Sequence, residues 1–460
     1  MIVLAVAVPA VADGESEQIW IASGEVGVGP IDDRLYLHLT PQLTLLRPVP
    51  TPVCDDAGGC RTLFEAALHI PLRLDVTGRD DTIIRREDWL EVSDFFRVIR
   101  RLEYGTVDDP IHLRAGELGP VLLGHGTLVN SYYNVVTTDH YRLGFRGRFD
   151  YDRYSAEVMV NDLTGPNLVG LRARYAPPVL YEDDSQWRRF TFGSTVVSDF
   201  TAPTRLAVDT DEDPTDPTVV AGPDRHPVVA DSQPTTAVGA DVRWQGIGAD
   251  NWSVSPYTDL NHHFGLGTGL HTGILWDQNI GDDVRLSSRL EYRLMLERYV
   301  PDYFDPVYEI TRYRHPDYEE AGFAGPKLTA ARSIESRRRH GGFGQLRGRL
   351  YDLVTLSAAF SDATGHTGAD LRLRASVDYE DRARIGLFFY QFAPGERRLA
   401  SSLAELVALD GALTALEGRF TIWGPLYARG SYARQWRLAD DGRFDNIQLW
   451  NVGLGAGFQF

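Results

Sequence analysis

The sequence is poor in lysine and cysteine, and acidic side chains outnumber basic ones. Its 460 residues include 64 acidic and 46 basic side chains, so the formal net charge is −18. Nucleic-acid binding depends on a basic excess that neutralises phosphates, so this charge argues against a nucleic-acid partner. Lys327 is the single lysine; the other basic side chains are arginines, which make planar, bidentate contacts. Two cysteines are too few for a disulfide framework or a zinc site, and we expect no metal and no cofactor.

Long apolar runs are also missing: nothing beyond the N-terminus approaches the roughly 18 residues of a membrane-spanning helix. The N-terminus is a short apolar stretch followed by Ala10-Val11-Ala12, as in a secretory signal peptide near its cleavage site, although the basic start is missing. We take residues 1–12 as a signal-peptide remnant, with an N-terminal strand as the alternative, and residues 13–33 as a periplasmic segment. In an exported chain we expect a disulfide between Cys54 and Cys60.

Alternation of apolar and polar residues with a period of two recurs along the whole chain. In one run Tyr154, Ala156 and Val158 oppose Ser155 and Glu157. A soluble β-sandwich alternates too, so the period alone does not decide the fold. These runs reach about 9–11 residues, as tilted membrane strands do, whereas soluble strands usually stop at about 5–6. Aromatic residues near the run ends also favour a membrane barrel.

The C-terminal residues show the clearest alternation. One face carries Trp450, Val452, Leu454, Ala456, Phe458 and Phe460, and the other carries glycine, asparagine and glutamine. A last amphipathic strand that ends in phenylalanine resembles the assembly signal of bacterial outer-membrane β-barrel proteins, with Trp450, Phe458 and Phe460 as its aromatic residues. The resemblance implies a porin-like protein of the bacterial outer membrane, with membrane lipid and the barrel assembly machinery as partners. It extends to barrels in general and to no named family.

We therefore predict an all-β fold, a transmembrane antiparallel β-barrel of about 16 strands (range about 14–18), formed by residues 34–460. Long loops are expected at 199–235, which is rich in proline and aspartate, and at 298–342. Residues 88–104 break the β pattern, because apolar residues recur there at helical spacing. We expect one short helix in this segment, either at the rim or folded into the lumen.

The polar faces of the predicted strands are rich in arginine, with carboxylates between them. An arginine-lined wall in a narrow pore would favour anionic solutes. The alternative, which we favour, is that the arginines pair with inward carboxylates in a network, because unpaired charges in a confined space are costly. The residues predicted to line the pore are Arg142, Arg146, Arg148, Arg172, Arg174, Arg285, Arg289, Arg293, Arg372, Arg374, Asp150, Glu157, Asp241 and Glu291.

The segment that begins with Gly124-His125-Gly126 predicts a loop of defined shape, because glycine permits unusual backbone angles. Hydrogen-bonding and aromatic residues follow it, so we expect the loop to constrict the lumen. Its candidate residues are His125, Asn130, Tyr132, Tyr133 and Asn134. Histidine, serine and asparagine occur together here, as in outer-membrane phospholipases, but the spacing does not match that family. We therefore predict no enzyme activity.

The function predicted from the sequence is passage of small solutes, anionic ones among them, through a porin-like channel. One alternative is a closed structural barrel whose loops bind a partner. The less favoured one is a barrel enzyme with a site near His125. No oligomeric state is predicted.

Overall fold

The chain forms a closed antiparallel β-barrel in the computed structural model. The structure describes residues 18–31, 34–50, 61–78, 82–90, 92–136, 141–177, 189–209, 218–222, 226–314, 319–320, 323–364, 369–380, 382–393, 412–439 and 441–460. The predicted signal-peptide remnant, residues 1–12, and the predicted disulfide between Cys54 and Cys60 lie outside the described residues.

Twenty strands, β1 to β20, form the wall of the barrel. Short segments at Leu72–Asp75 and Ile247–Ala249 extend β3 and β10. The strands are β1 (Ile19–Ile31), β2 (Arg34–Pro50), β3 (Arg61–His69), β4 (Ile99–Tyr104), β5 (Ile111–Gly116), β6 (Gly144–Tyr151), β7 (Tyr154–Val160), β8 (Leu168–Tyr175), β9 (Phe190–Leu206), β10 (Val229–Trp244), β11 (Trp252–His263), β12 (Gly267–Ile280), β13 (Val284–Met295), β14 (Arg339–Leu350), β15 (Val354–Ala363), β16 (Ala369–Tyr379), β17 (Ala383–Ala393), β18 (Leu413–Trp423), β19 (Leu426–Leu438) and β20 (Phe444–Gln459).

The first and last strands close the ring. In the register of β1, Val26 lies opposite Leu39 of β2 on one side and Leu454 of β20 on the other. Every neighbouring pair in the ring is antiparallel. Because the ring is closed, each of these strands has a partner on both sides. Closure matters because a bilayer offers no water to an unpaired strand edge.

The register gives the two faces of the wall different chemistry. Residues opposite each other on paired strands point to the same side of the sheet. Val26, Leu454 and Ala428 form such a row on the outer face, where Val26 and Leu454 are exposed. A second row, which links Arg172 to Glu157, points into the lumen. The apolar face of the wall is therefore outside and the charged face is inside.

The predicted count of about 16 strands is wrong, because the barrel has 20. Two sources of the undercount are visible. Residues 13–33 were expected to precede the barrel, but Ile19–Ile31 is β1 and is needed for closure. The other source is β4 and β5, which have only six residues each and therefore show little alternation.

The predicted helix near residues 88–104 is found only in the first part of that segment. Helix α1 (Val92–Phe95) lies between short 3₁₀ turns at Arg86–Asp88 and Phe96–Val98. From Ile99 the chain is strand β4, which pairs with β3 and β5. Pairing around the ring outweighs the local helical spacing, because an open gap in the wall would leave backbone groups unsatisfied.

The two long loops are shorter than predicted, because strands extend into them. β9 continues to Leu206 and β10 starts at Val229, and a small hairpin joins Val208–Asp209 to Thr218–Val219 between them. The second loop ends where β14 begins at Arg339. It contains α2 (Tyr308–Thr311) and α3 (Lys327–Ser333). No helix in the described part of the chain is long and apolar enough to cross a bilayer.

Two connections fold into the lumen and pack on each other. We call residues 117–136 and 141–143 the first inward loop, and residues 296–314, 319–320 and 323–338 the second inward loop. Val129 of the first forms a parallel bridge with Phe304 of the second, and the amide of Asn130 donates to the carbonyl of Phe304 at 3.1 Å. Their apolar side chains, among them Val121, Tyr132 and Tyr308, form a fully buried cluster with wall residues. The hydrophobic core of this barrel therefore lies inside the ring.

Candidate functional site

A cavity of about 490 Å³ lies inside the barrel beneath the tip of the first inward loop. Its walls come from strands between β6 and β14. Arg148 and Asp150, near the tight turn between β6 and β7, place it toward the end of the barrel where the short turns lie. The lining residues are Leu122, Gly124, His125, Arg146, Arg148, Asp150, Ser155, Glu157, Arg172, Arg174, Thr191, Asp241, Arg243, Leu275, Asp277, Ser287, Ser288, Arg289, Gln345 and Arg347.

Positive charge predominates in this lining, which contains seven arginines and four carboxylates. The strands bring these residues together because each inward position lies beside an inward position of the next strand. Glu157 lies opposite Arg148 on one side and Arg172 on the other. Arg289 lies opposite Gln345 in the same way. A low-dielectric wall around such a cavity concentrates its positive potential on whatever enters.

Several of the arginines are held by carboxylates. Arg172 binds Asp241 through two nitrogens, at 2.7 and 3.1 Å. Arg148 reaches Asp150 at 2.9 Å, and Arg146 reaches Glu157 at 3.3 Å. Arg174 also approaches Asp150, at 3.6 Å. The paired network that the sequence analysis favoured is therefore present in this part of the lumen.

Three arginines of the cavity have no carboxylate within 4 Å in the described part of the chain: Arg243, Arg289 and Arg347. Arg289 is only 5% exposed, and its guanidinium lies 4.0 Å from the centre of the Phe343 ring. A buried guanidinium without an anionic partner is unusual, because removing a charge from water is costly. The network thus leaves a surplus of positive charge facing the cavity.

His125 lies at the tip of the first inward loop and forms part of the cavity lining. Its ring stacks on Tyr257 with 4.0 Å between ring centres, and its Nε2 lies 3.2 Å from Asp241. The flanking glycines have positive φ values, +61° at Gly124 and +77° at Gly126. A Cβ at either position would come within 3 Å of a wall arginine, Arg172 or Arg289. The Gly-His-Gly sequence is therefore what allows the tip to approach the basic wall.

Asp302 connects the second inward loop to the wall and to the first inward loop. It accepts hydrogen bonds from Arg293 at 3.1 Å and from Asn130 at 3.2 Å, and Arg372 lies 3.5 Å away. Glu291 accepts a hydrogen bond from Nε of Arg293 at 2.5 Å, and Asp370 accepts one from Nε of Arg372 at 2.8 Å. Asp302 has φ +50°, so the backbone is bent to present this carboxylate.

Other predicted loop residues bind the wall or the second loop. Tyr132 is buried and donates to Glu309, and Tyr133 contacts Arg374. Asn134 accepts from the amide of Leu118 at 2.7 Å and donates to three carbonyls, the shortest at 2.7 Å to Arg142. These carbonyls lie beside the ends of β5 and β7 and the start of β6, so Asn134 joins three strand ends through their backbone groups. Ser131 lies beside Asn130, and no described contact joins it to His125.

The remaining predicted pore residues lie in different surroundings. Arg142 is buried and pairs with Glu309 at 3.0 Å, and Arg285 is exposed near the turn end of β13.

Burial raises the pKa of Tyr308 well above its ordinary value. Its hydroxyl therefore stays protonated and donates to Asp199 at 2.7 Å.

Sequence reasoning missed the acidic residues of the second inward loop. Asp302, Asp305 and Glu309 each bind a basic side chain of the lumen, at Arg293, Lys327 and Arg142 respectively. Their signal in the sequence was the run of residues 302–309, where acids alternate with aromatic and apolar residues in a segment predicted to be an exposed loop. The described residues contain no group of three histidine, cysteine or carboxylate side chains that could hold a metal ion.

The outer face of the barrel carries exposed apolar side chains. Leu290, Val452 and Leu454 are about three-fifths exposed, although all are large and apolar. The aromatic residues of the C-terminal strand, Trp450 and Phe458, lie on the same outward face. A ring of exposed apolar side chains around a charged interior defines the class: a closed β-barrel built to span a membrane.

No protein-family model and no curated protein matches the chain. Among solved structures it is similar to the outer membrane protein opdK from Pseudomonas aeruginosa, with 10% identity, 97% and 99% of the two chains covered and a TM-score of 0.37. It is also similar to OccAB3 of Acinetobacter baumannii (9% identity, 97% and 100% covered, TM-score 0.35). A third is the outer membrane channel DcaP of Acinetobacter baumannii (9% identity, 96% and 97% covered, TM-score 0.30). Likeness at this level does not bear on the function of the chain.

Proposed function

We propose that this protein is a channel of the bacterial outer membrane that passes small anionic solutes. The closed ring with an apolar exterior supports the location, because such a surface is stable only against hydrocarbon. Because the number of strands is even, β1 begins and β20 finishes on the same side of the barrel, the side that carries the short turns. By the rule for bacterial barrels, that end faces the periplasm and the inward loops enter from outside.

One observation carries the preference for anions: the surplus of positive charge in the cavity. Four carboxylates cannot balance seven arginines, and the buried Arg289 has no carboxylate within 4 Å among the described residues. An anionic solute supplies the charge that this site lacks. The cavity can hold only a small molecule, since its volume is about 490 Å³.

Purified protein in a planar lipid bilayer tests the proposal. We expect discrete conductance steps and a reversal potential, in a KCl gradient, that shows chloride passing more readily than potassium. Arg289→Gln should lower this preference severalfold, because it removes the unpaired charge from the cavity. Arg285→Gln is the matched control: it lies on the same inward face of β13 but is exposed outside the cavity lining, so its effect should be small. A cation-selective channel would contradict the proposal.

The second candidate is a closed structural barrel without conduction. It is supported by the buried cluster between the two inward loops, which fills part of the lumen. The same recording separates the two functions, since a closed barrel gives no steps at any voltage. A catalytic site near His125 has less support, because its Nε2 faces Asp241 and its ring is stacked on Tyr257.

A further inference from the structure

We propose that His125 sets the anion selectivity of the channel in a pH-dependent way, adding a positive charge to the cavity lining when it is protonated. The inference rests on the proposed function but goes beyond it. The wall arginines give the cavity a constant surplus of positive charge. Imidazole, in contrast, is the side chain whose charge ordinarily changes between pH 5 and 8. A solute that enters the cavity would then meet a different field on the two sides of that range.

His125 lies where an added charge would act on the contents of the cavity. It is buried at the tip of a loop whose glycines bring it close to the basic wall, and it lines the same cavity as Arg289. Stacking on Tyr257 fixes the ring plane. Nε2 lies 3.2 Å from the Asp241 carboxylate, a distance at which Coulomb attraction favours the charged form of the ring.

The charged groups around His125 come from four strands. Asp241 of β10 lies nearest, and two nitrogens of Arg172 on β8 bind that carboxylate. Asp259 of β11 binds Thr127, two residues along the same loop, at 2.5 Å. Arg289 of β13 approaches Gly126. The variant His125→Gln leaves all of these charged groups in place, so it separates the contribution of the imidazole from theirs.

The expected size follows from one added unit charge. At about 7 Å from a passing anion, with water-like screening, this charge changes the occupancy of the anion about threefold. The field of the arginines is already present at pH 7.5, so protonation should increase an existing preference and should not reverse it.

The test is the chloride-to-potassium permeability ratio, from reversal potentials of the full chain in planar bilayers at pH 7.5 and 5.5. Chloride and potassium keep their charge over this range. For the unmodified protein the ratio should rise about threefold at the lower pH. In His125→Gln, which has no titrating ring, the ratio should stay flat while conductance persists.

His112→Gln is the matched control. His112 is also buried and paired with a carboxylate, at 2.7 Å from Glu103, but it does not line the cavity. This variant should keep the full response. A pH response that survives in His125→Gln, or one lost equally in His112→Gln, would overturn the role of His125 and leave the channel function intact. Absence of any conductance would overturn both proposals.

Discussion

Substitution of Asp302 by asparagine should release the two inward loops from the wall. Asparagine keeps the shape of the side chain and tolerates the positive φ of this position. It removes the charge that binds the buried Arg293 and approaches Arg372, whose side chain is only 11% exposed. Breaking a buried ion pair by removing one partner typically costs about 3–5 kcal/mol. Glu291 and Asp370 remain beside the two arginines, so we expect the lower end, about 3 kcal/mol.

Hydrogen exchange of single amides measures this cost locally. The amides of Asn130 and Phe304 bond across the interface of the two loops, to Phe304 and Leu128 respectively. A loss of about 3 kcal/mol from the opening free energy speeds their exchange about 100-fold. The amide of Val26, in the wall between β2 and β20, should change little.

Asp352→Asn is the matched control for this measurement. It removes an exposed carboxylate that pairs with Arg349 at 2.8 Å in a tight turn. Exposed ion pairs of this kind contribute little to the stability of the fold. Exchange at Asn130 and Phe304 should not change in this variant. Less than a fivefold change in Asp302→Asn would show that Asp302 does not hold the loops, and the reasoning would be wrong.

Three further predictions concern the wall and the cavity. Asn134→Ala should lower the free energy of unfolding in lipid vesicles by about 2–4 kcal/mol, since backbone groups at three strand ends lose their partner; exposed Asn279→Ala should have little effect, and equal effects would contradict this role. Ile274→Arg, on the outer face, should cost about 2–4 kcal/mol in the same assay, whereas Leu275→Arg, which faces the cavity, should cost less. Equal costs would show that the two faces are assigned incorrectly. Raising KCl from 0.1 to 1 M should weaken anion preference, because the screening length falls from about 10 to about 3 Å; a preference that does not depend on salt would argue against an electrostatic origin.

The faces of the long strands could be predicted from sequence because each residue of an alternating run has only two directions to point. The run from Tyr154 to Val160 and the C-terminal strand lie as expected, with Val158 and Val452 outside. Short strands give no such signal. In β4 the register with β3 shifts between Ile99 and Arg101, so Arg100 has no direct partner and the period of two breaks there.

The interior of the lumen was harder to predict, because its contacts join residues far apart in the chain. His125 and Asn134 were singled out by their glycine-rich and polar surroundings, and both lie in the first inward loop. Their partners could not be foreseen: Asp241 is held against His125 by the register of β10, and Asp302 of the second inward loop reaches Arg372 of β16. No spacing rule connects such positions, since their meeting depends on ring closure.

Each strand presents one face to hydrocarbon and the other to a water-filled lumen. Single cysteines at Thr355, Leu356, Ser357 and Ala358 of β15, with Cys54 and Cys60 replaced by serine, can each carry a bimane fluorophore in lipid vesicles. We predict that nitroxide-labelled lipid quenches the probes at Leu356 and Ala358, and that aqueous iodide quenches those at Thr355 and Ser357. Quenching by iodide at all four positions, or no alternation between the two quenchers, would contradict the account.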